Sequence, residues 1–102
     1  MNRIKCLVIE IKNEIVGYAT FMKQFSTWDA QYYMYLCCLY LKEKNRGNGI
    51  GKEIMNWVKT YAKDQNCSRM QWQTPSFNTE AIKFYKNLGA IAYNKERFLW
   101  SL

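Results

Sequence analysis

Residues Arg46-Gly47-Asn48-Gly49-Ile50-Gly51-Lys52 combine three glycines with two flanking cations. They stand between an apolar run and a segment of helical periodicity. A helix N-terminus exposes unpaired N–H groups and a partial positive charge, and glycines let neighbouring N–H groups turn toward one anion. The chemistry this pattern suits is the holding of a phosphate or pyrophosphate. A Walker A loop ending at Gly51-Lys52 would need Gly where Arg46 stands and Ser or Thr where Glu53 stands. A dinucleotide GxGxxG would need Gly in place of Lys52. Both spacings fail, which leaves an anion cradle of another kind or a glycine turn that simply starts a helix.

The chain contains no histidine, so Ser-His-Asp and Cys-His nucleophiles are excluded. Acid–base work falls to Tyr, Cys, Lys, a carboxylate or water. Four cysteines, Cys6, Cys37, Cys38 and Cys67, show no CxxC spacing. They read as reduced thiols rather than a zinc site, and no metal is expected. Adjacent Cys37 and Cys38 are expected on opposite faces of a strand, buried and inert. The net charge of +7 suits nucleic acid or a small polyanion equally. The basic residues are scattered without a long run, which argues against a dedicated nucleic-acid arm.

The elements that must position these groups follow from periodicity. Residues 6–11 and 15–25 read as strands joined by a polar turn, with Gly17 a possible bulge. Residues 31–41 are almost continuously apolar, the pattern of a central strand buried on both faces. After the glycine loop, Ile50, Ile54, Trp57, Val58, Tyr61 and Ala62 form a helical stripe running to about Asn66. Residues 69–74 form a short strand ended by Pro75. Asn78 caps a second helix carrying Ala81, Ile82, Tyr85 and Leu88 on one face, with Gly89 at its C′ position. Residues 90–102 supply one or two last strands. The order is β-β-β-α-β-α-β(-β): an α+β, or mixed α/β, fold around one mostly antiparallel sheet. The crossover from the third to the fourth strand is expected to be parallel and right-handed. At 102 residues the chain is expected to be a single domain, 1–102. Its start has no long apolar segment, so a cytoplasmic location is expected.

Two of these segments together resemble a known family. Arg46-Gly47-Asn48-Gly49-Ile50-Gly51-Lys52 after a strand resembles the R/Q-x-x-G-x-G/A motif of the GNAT superfamily of acetyl-coenzyme A-dependent N-acetyltransferases. Residues 77–90, FNTEAIKFYKNLGA, resemble that family's N-x-x-A-I-x-F-Y-x-x-L-G-A motif. Within the family, residues 35–85 look most like the diamine and polyamine acetyltransferases. The resemblance implies acetyl-CoA as cofactor and acetyl transfer to a primary amine of a small molecule or protein. It assigns the pyrophosphate to Arg46, Gly47, Asn48, Gly49, Ile50, Gly51 and Lys52. The pantetheine arm goes to a bulged strand at Leu39, Tyr40 and Leu41, with Asn78 and Ala81 also at the cofactor. Tyr85 becomes the proton donor to the leaving thiolate, although its place on the apolar stripe also suits a core residue.

Cys37, Cys38, Gln73 and Thr74 fall on the acceptor side. The Glu-Asp pair that polyamine acetyltransferases usually carry is here Cys37-Cys38, so the base and the acceptor stay open. The usual front strand and two helices are not expected in this chain. The sheet should therefore have an uncovered face and an exposed edge, of the kind a second copy covers in a homodimer or higher assembly. Two other readings compete: a catalytically silent CoA-binding oligomeric module, and a basic nucleic-acid binder stacking bases on Trp28, Tyr32 and Tyr33.

Overall fold

A computed structural model describes residues 3–102, so the first two residues of the expected domain lie outside the description. Seven alternating residues form β1 (Lys5–Ile11), which turns through Lys12 and Asn13, both at positive φ, into β2 (Glu14–Ser26). β2 pairs antiparallel with β3 (Gln31–Leu41). Helix α1 (Ile50–Asp64) carries the chain over the sheet to β4 (Arg69–Gln71), which lies parallel to β3. Helix α2 (Thr79–Asn87) follows. The sheet order is β1-β2-β3-β4, so the expected three antiparallel strands and one parallel crossover are present.

The core forms where one face of the sheet meets α1. Ala19, Phe21, Met34 and Leu36 from the strands pack with Ile54, Met55, Val58 and Ala62 from the helix, all buried. The stripe expected from the sequence is largely correct. Met55, however, takes a buried place, while Trp57 stays half exposed and stacks flat on Tyr61. Phe84, Tyr85 and Leu88 of α2 pack against the same cluster.

Several expectations need correction. Helix α1 ends at Asp64, with Gln65 as its cap and Asn66 at φ 62°, a left-handed residue that cannot continue a helix. β4 stops at Gln71 rather than running to residue 74. The bulge in β2 falls at Val16, beside Gly17, because Ile9 pairs with Gly17 and Glu10 with Ile15. β3 is not buried on both faces: Tyr32, Cys37, Cys38 and Tyr40 are exposed, since both helices lie on the opposite face. The last strands are absent. Residues 90–102 adopt no regular structure, and Phe98 and Trp100 are 91% and 89% exposed. Their apolar residues meet no strand within this chain, so the propensity goes unused.

Candidate functional site

The loop before α1 is built to leave donors free. Gly47 and Gly49 have φ of 83° and 81°, a region costing other residues roughly 1–2 kcal/mol. A Cβ at either would meet nothing within 4 Å, so the cradle is open in front of them. Gly51 serves packing instead: a Cβ there would stand 3.0 Å from the Phe84 ring, so its lack of a side chain lets α1 and α2 approach. The cap residue Gly49 offers no side-chain acceptor. Among the described residues, the backbone N–H groups of residues 47–52 donate to no protein acceptor. The first N–H to turn inward is that of Glu53, which bonds the Gly49 carbonyl at 3.1 Å.

The nearby charges are sorted in the same way. Glu14 takes up Lys42 at 3.0 Å and Lys44 at 3.1 Å. Hydrogen bonding from these two lysines, with their charge, holds its carboxyl below the usual carboxylate range. Among the described residues, neither Arg46 nor Lys52 pairs with a carboxylate. The Arg46 Nε donates to the Leu41 carbonyl at 2.9 Å, which ties the loop to the end of β3.

β3 is the second wall. Thr20 pairs with Cys38 and Phe21 with Leu36, so Cys37 is the extra residue of a bulge. The bulge therefore precedes Leu39, Tyr40 and Leu41 rather than falling on them. It also overturns the expected alternation at the cysteines. Leu36 and Leu39 both pack toward α1, which an unbroken period of two would forbid. Cys37 and Cys38 are both exposed, not buried. β4 pairs with β3 only from Tyr33 to Tyr35. Beyond that the strands part, and among the described residues the backbone of residues 36–41 has no neighbouring strand on that side. Gln73, exposed, and Thr74, half-buried, lie just past the end of β4, outside the sheet.

α2 closes the third side. The Asn78 side chain accepts from the Ala81 N–H at 3.2 Å, the cap expected from the sequence. That bond commits its Oδ1 to the helix. Tyr85 is half-buried, with its ring edge-on to Trp72 at 5.2 Å between centroids. Burial, and then the charge of nearby Cys38, push its hydroxyl above the ordinary tyrosine value. Trp72, which sequence reasoning passed over, is found only through this contact. Tyr18 was likewise missed. Its ring packs beside Tyr40 at 5.5 Å between centroids, and the neighbouring Cys38 thiol raises its hydroxyl's pKa. Only strand register could have revealed that pair. Two shallow depressions of the surface lie elsewhere, one around Trp28 and Arg69 and one along the outer side of α1. The assembled groups line an open groove rather than a cavity. Among the described residues no group of three Cys, Asp or Glu could hold a metal ion, and no helix is long and apolar enough to cross a membrane.

Residues 2–90 match the profile of the acetyltransferase (GNAT) family. The chain is 36% identical over 93 residues to the thialysine N-ε-acetyltransferase of Bos taurus, covering 83% of this chain and 54% of that protein. It thus spans about half the length of the curated relatives it matches. Among solved structures, an integron cassette protein from the mobile metagenome of V. cholerae superposes with a TM-score of 0.89 at 31% identity, covering 96% of this chain and 61% of that one. An aminoglycoside N-acetyltransferase in complex with CoA superposes with the same TM-score at 17% identity, covering 97% and 76%, and so shares the fold.

Proposed function

This chain belongs to the GNAT family of acetyltransferases, and on that premise we propose that it transfers the acetyl group of acetyl-CoA to a primary amine. The observation that carries this reading is the run of free N–H groups at residues 47–52, set beside the unpartnered edge of a bulged strand. The donor set fits a pyrophosphate: consecutive backbone N–H groups, an open approach at Gly47 and Gly49, and unpaired Arg46 and Lys52. Acetyl-CoA would supply the activated thioester. Asn48 and Ile50 would contribute backbone donors, and Leu39, Tyr40 and Leu41 would offer backbone to the pantetheine arm. Ala81 and Asn78 would flank it from the start of α2.

The chain's own groups then account for the chemistry. A free backbone N–H near the bulge would stabilise the oxyanion. The Tyr85 hydroxyl, kept protonated by burial, would donate its proton to the leaving thiolate. The acceptor must arrive with its amine neutral, because an alkylamine has a pKa near 10.4. Cys37, Cys38, Gln73 and Thr74 would face it. The relative that acts on thialysine makes a zwitterionic amino acid with a side-chain amine the first acceptor to try. We place the protein in the cytoplasm as a single domain that pairs into a homodimer, the second copy covering the open sheet face. The test is CoA release on mixing with acetyl-CoA and a panel of primary amines. Turnover above the hydrolytic background is expected, with kcat reduced about 10²-fold or more in Tyr85→Phe. A folded protein that binds acetyl-CoA but releases no CoA with any amine would instead favour the silent CoA-binding module.

A further inference from the structure

The end of the chain is its least satisfied part. Past the Ala90 N–H, which bonds the Tyr85 carbonyl at 3.2 Å, residues 91–102 make no backbone–backbone hydrogen bond among the described residues. Ile91, Tyr93, Phe98, Leu99, Trp100 and Leu102 are each at least 74% exposed. Single exposed apolar residues are ordinary, but a run of them in one segment marks a surface that meets a partner. Phe98, Trp100 and Leu102 alternate with Arg97, Leu99 and Ser101, the period of a strand with one face to bury. The sheet has a matching free edge. β4 ends the strand order and pairs on one side only, with Tyr33 to Tyr35 of β3. Among the described residues no strand lies along its other side, and the free N–H and C=O groups of such an edge accept an added strand. Lys95 lines the same shallow depression as Arg69 and Gln71 of β4, so the tail passes this edge without bonding it. The other edge, β1, lies three strands away, about 14 Å at about 4.8 Å per strand. Extended, residues 91–102 reach about 40 Å at about 3.3 Å each. The whole chain measures 43 × 33 × 32 Å, so the tail is long enough to cross to a second copy.

We propose that residues 91–102 exchange between two copies, the tail of each adding a strand to the outer edge of the other's β4. The inference rests on the homodimer in the reading above and names the contact that holds it. One chain has both the tail and the edge and does not join them, which fits an edge kept for a partner's tail. Reciprocal exchange is one two-fold operation that covers both β4 edges, so assembly through this contact stops at two copies. The exchanged strand gains backbone hydrogen bonds and sets Phe98, Trp100 and Leu102 on one face of the joined sheet. The exchange also bears on the site. Trp72, Gln73 and Thr74 continue directly from β4, and the Trp72 ring meets Tyr85 edge-on. A strand added beside them holds this wall from outside, so each groove is complete only in the pair.

The experiment uses the full chain. An isotope-labelled form carrying a photoreactive benzophenone side chain in place of Phe98 is unfolded, mixed with unlabelled wild type and refolded. Light then fixes the contacts, and peptide mapping reads which chain and which segment the probe has reached. In parallel, sedimentation equilibrium compares wild type with the double variant Phe98→Asp, Trp100→Asp, with folding checked by circular dichroism. Both residues are exposed within the chain, so the body is expected to fold unchanged. The expected result is links from position 98 to residues 69–74 of unlabelled chains, and a dimer weakened about a hundredfold or more in the double variant. Links to labelled chains alone show the tail folding back on its own body and overturn the exchange. So do links to α1 or to the open sheet face, or a double variant that dimerises as tightly as wild type, and these outcomes leave the homodimer standing. A wild type that stays a single chain overturns both. None of these readouts involves acetyl-CoA, so acetyl transfer is judged separately, by CoA release.

Discussion

Tyr85 packs into the core at the position from which its proposed chemistry would act. Its ring joins the core cluster and meets Trp72 edge-on. The sequence left core and catalytic roles open; the structure places the ring against the core cluster, and the catalytic role is the one proposed above. Burial disfavours the phenolate, so the folded pKa stands above the unfolded value near 10. The folded state binds this proton more tightly than the unfolded state, so its contribution is fully present below about pH 10 and lost as pH rises through the folded value. Unfolding midpoints measured in urea from pH 8 to 11 should therefore fall at the alkaline end, and fall less in Tyr85→Phe. An identical alkaline fall in both proteins would remove Tyr85 as its source.

At the scale of elements, the helix starts were the most legible feature. Asn78 was identifiable as a cap because it precedes an apolar stripe, and its Oδ1 takes the Ala81 N–H. Asn78→Ala should cost about 1 kcal/mol in chemical denaturation, and an unchanged midpoint would show that the bond contributes nothing. Gly47 and Gly49 were legible as a glycine turn leading into a helix, and both take the left-handed region. Register was not legible. A bulge adds one residue without changing composition, so nothing in the run QYYMYLCCLYL marked Cys37 as the extra residue. The exposure of both cysteines is a consequence of that one shift. The expected last strands failed for a related reason: residues 90–102 are apolar, but pairing needs a partner, and none adjoins them in the chain.

At the scale of the whole molecule, helices cover one face of the sheet and leave the other with Tyr18 and Tyr40 partly exposed alongside Val8. That asymmetry supports the homodimer proposed above, since an open apolar face is commonly where a partner binds. Sedimentation velocity at micromolar concentration should give a mass near twice that of the 12.2 kDa chain, and a single species of one chain's mass would count against it. The charge of +7 favours a polyanionic ligand through long-range attraction, and binding should weaken as salt rises. Charge by itself did not separate coenzyme A from nucleic acid. The proposed pyrophosphate site rests instead on the free N–H groups gathered at one helix start.

The central claim is that residues 47–52 hold the pyrophosphate of acetyl-CoA, and isothermal titration of wild type and Gly49→Trp tests it most directly. The wild type should bind acetyl-CoA with micromolar affinity, and the variant, folded but with the cradle filled, should lose at least a hundredfold. Equal binding by both proteins, or no binding by a folded wild type, would contradict it.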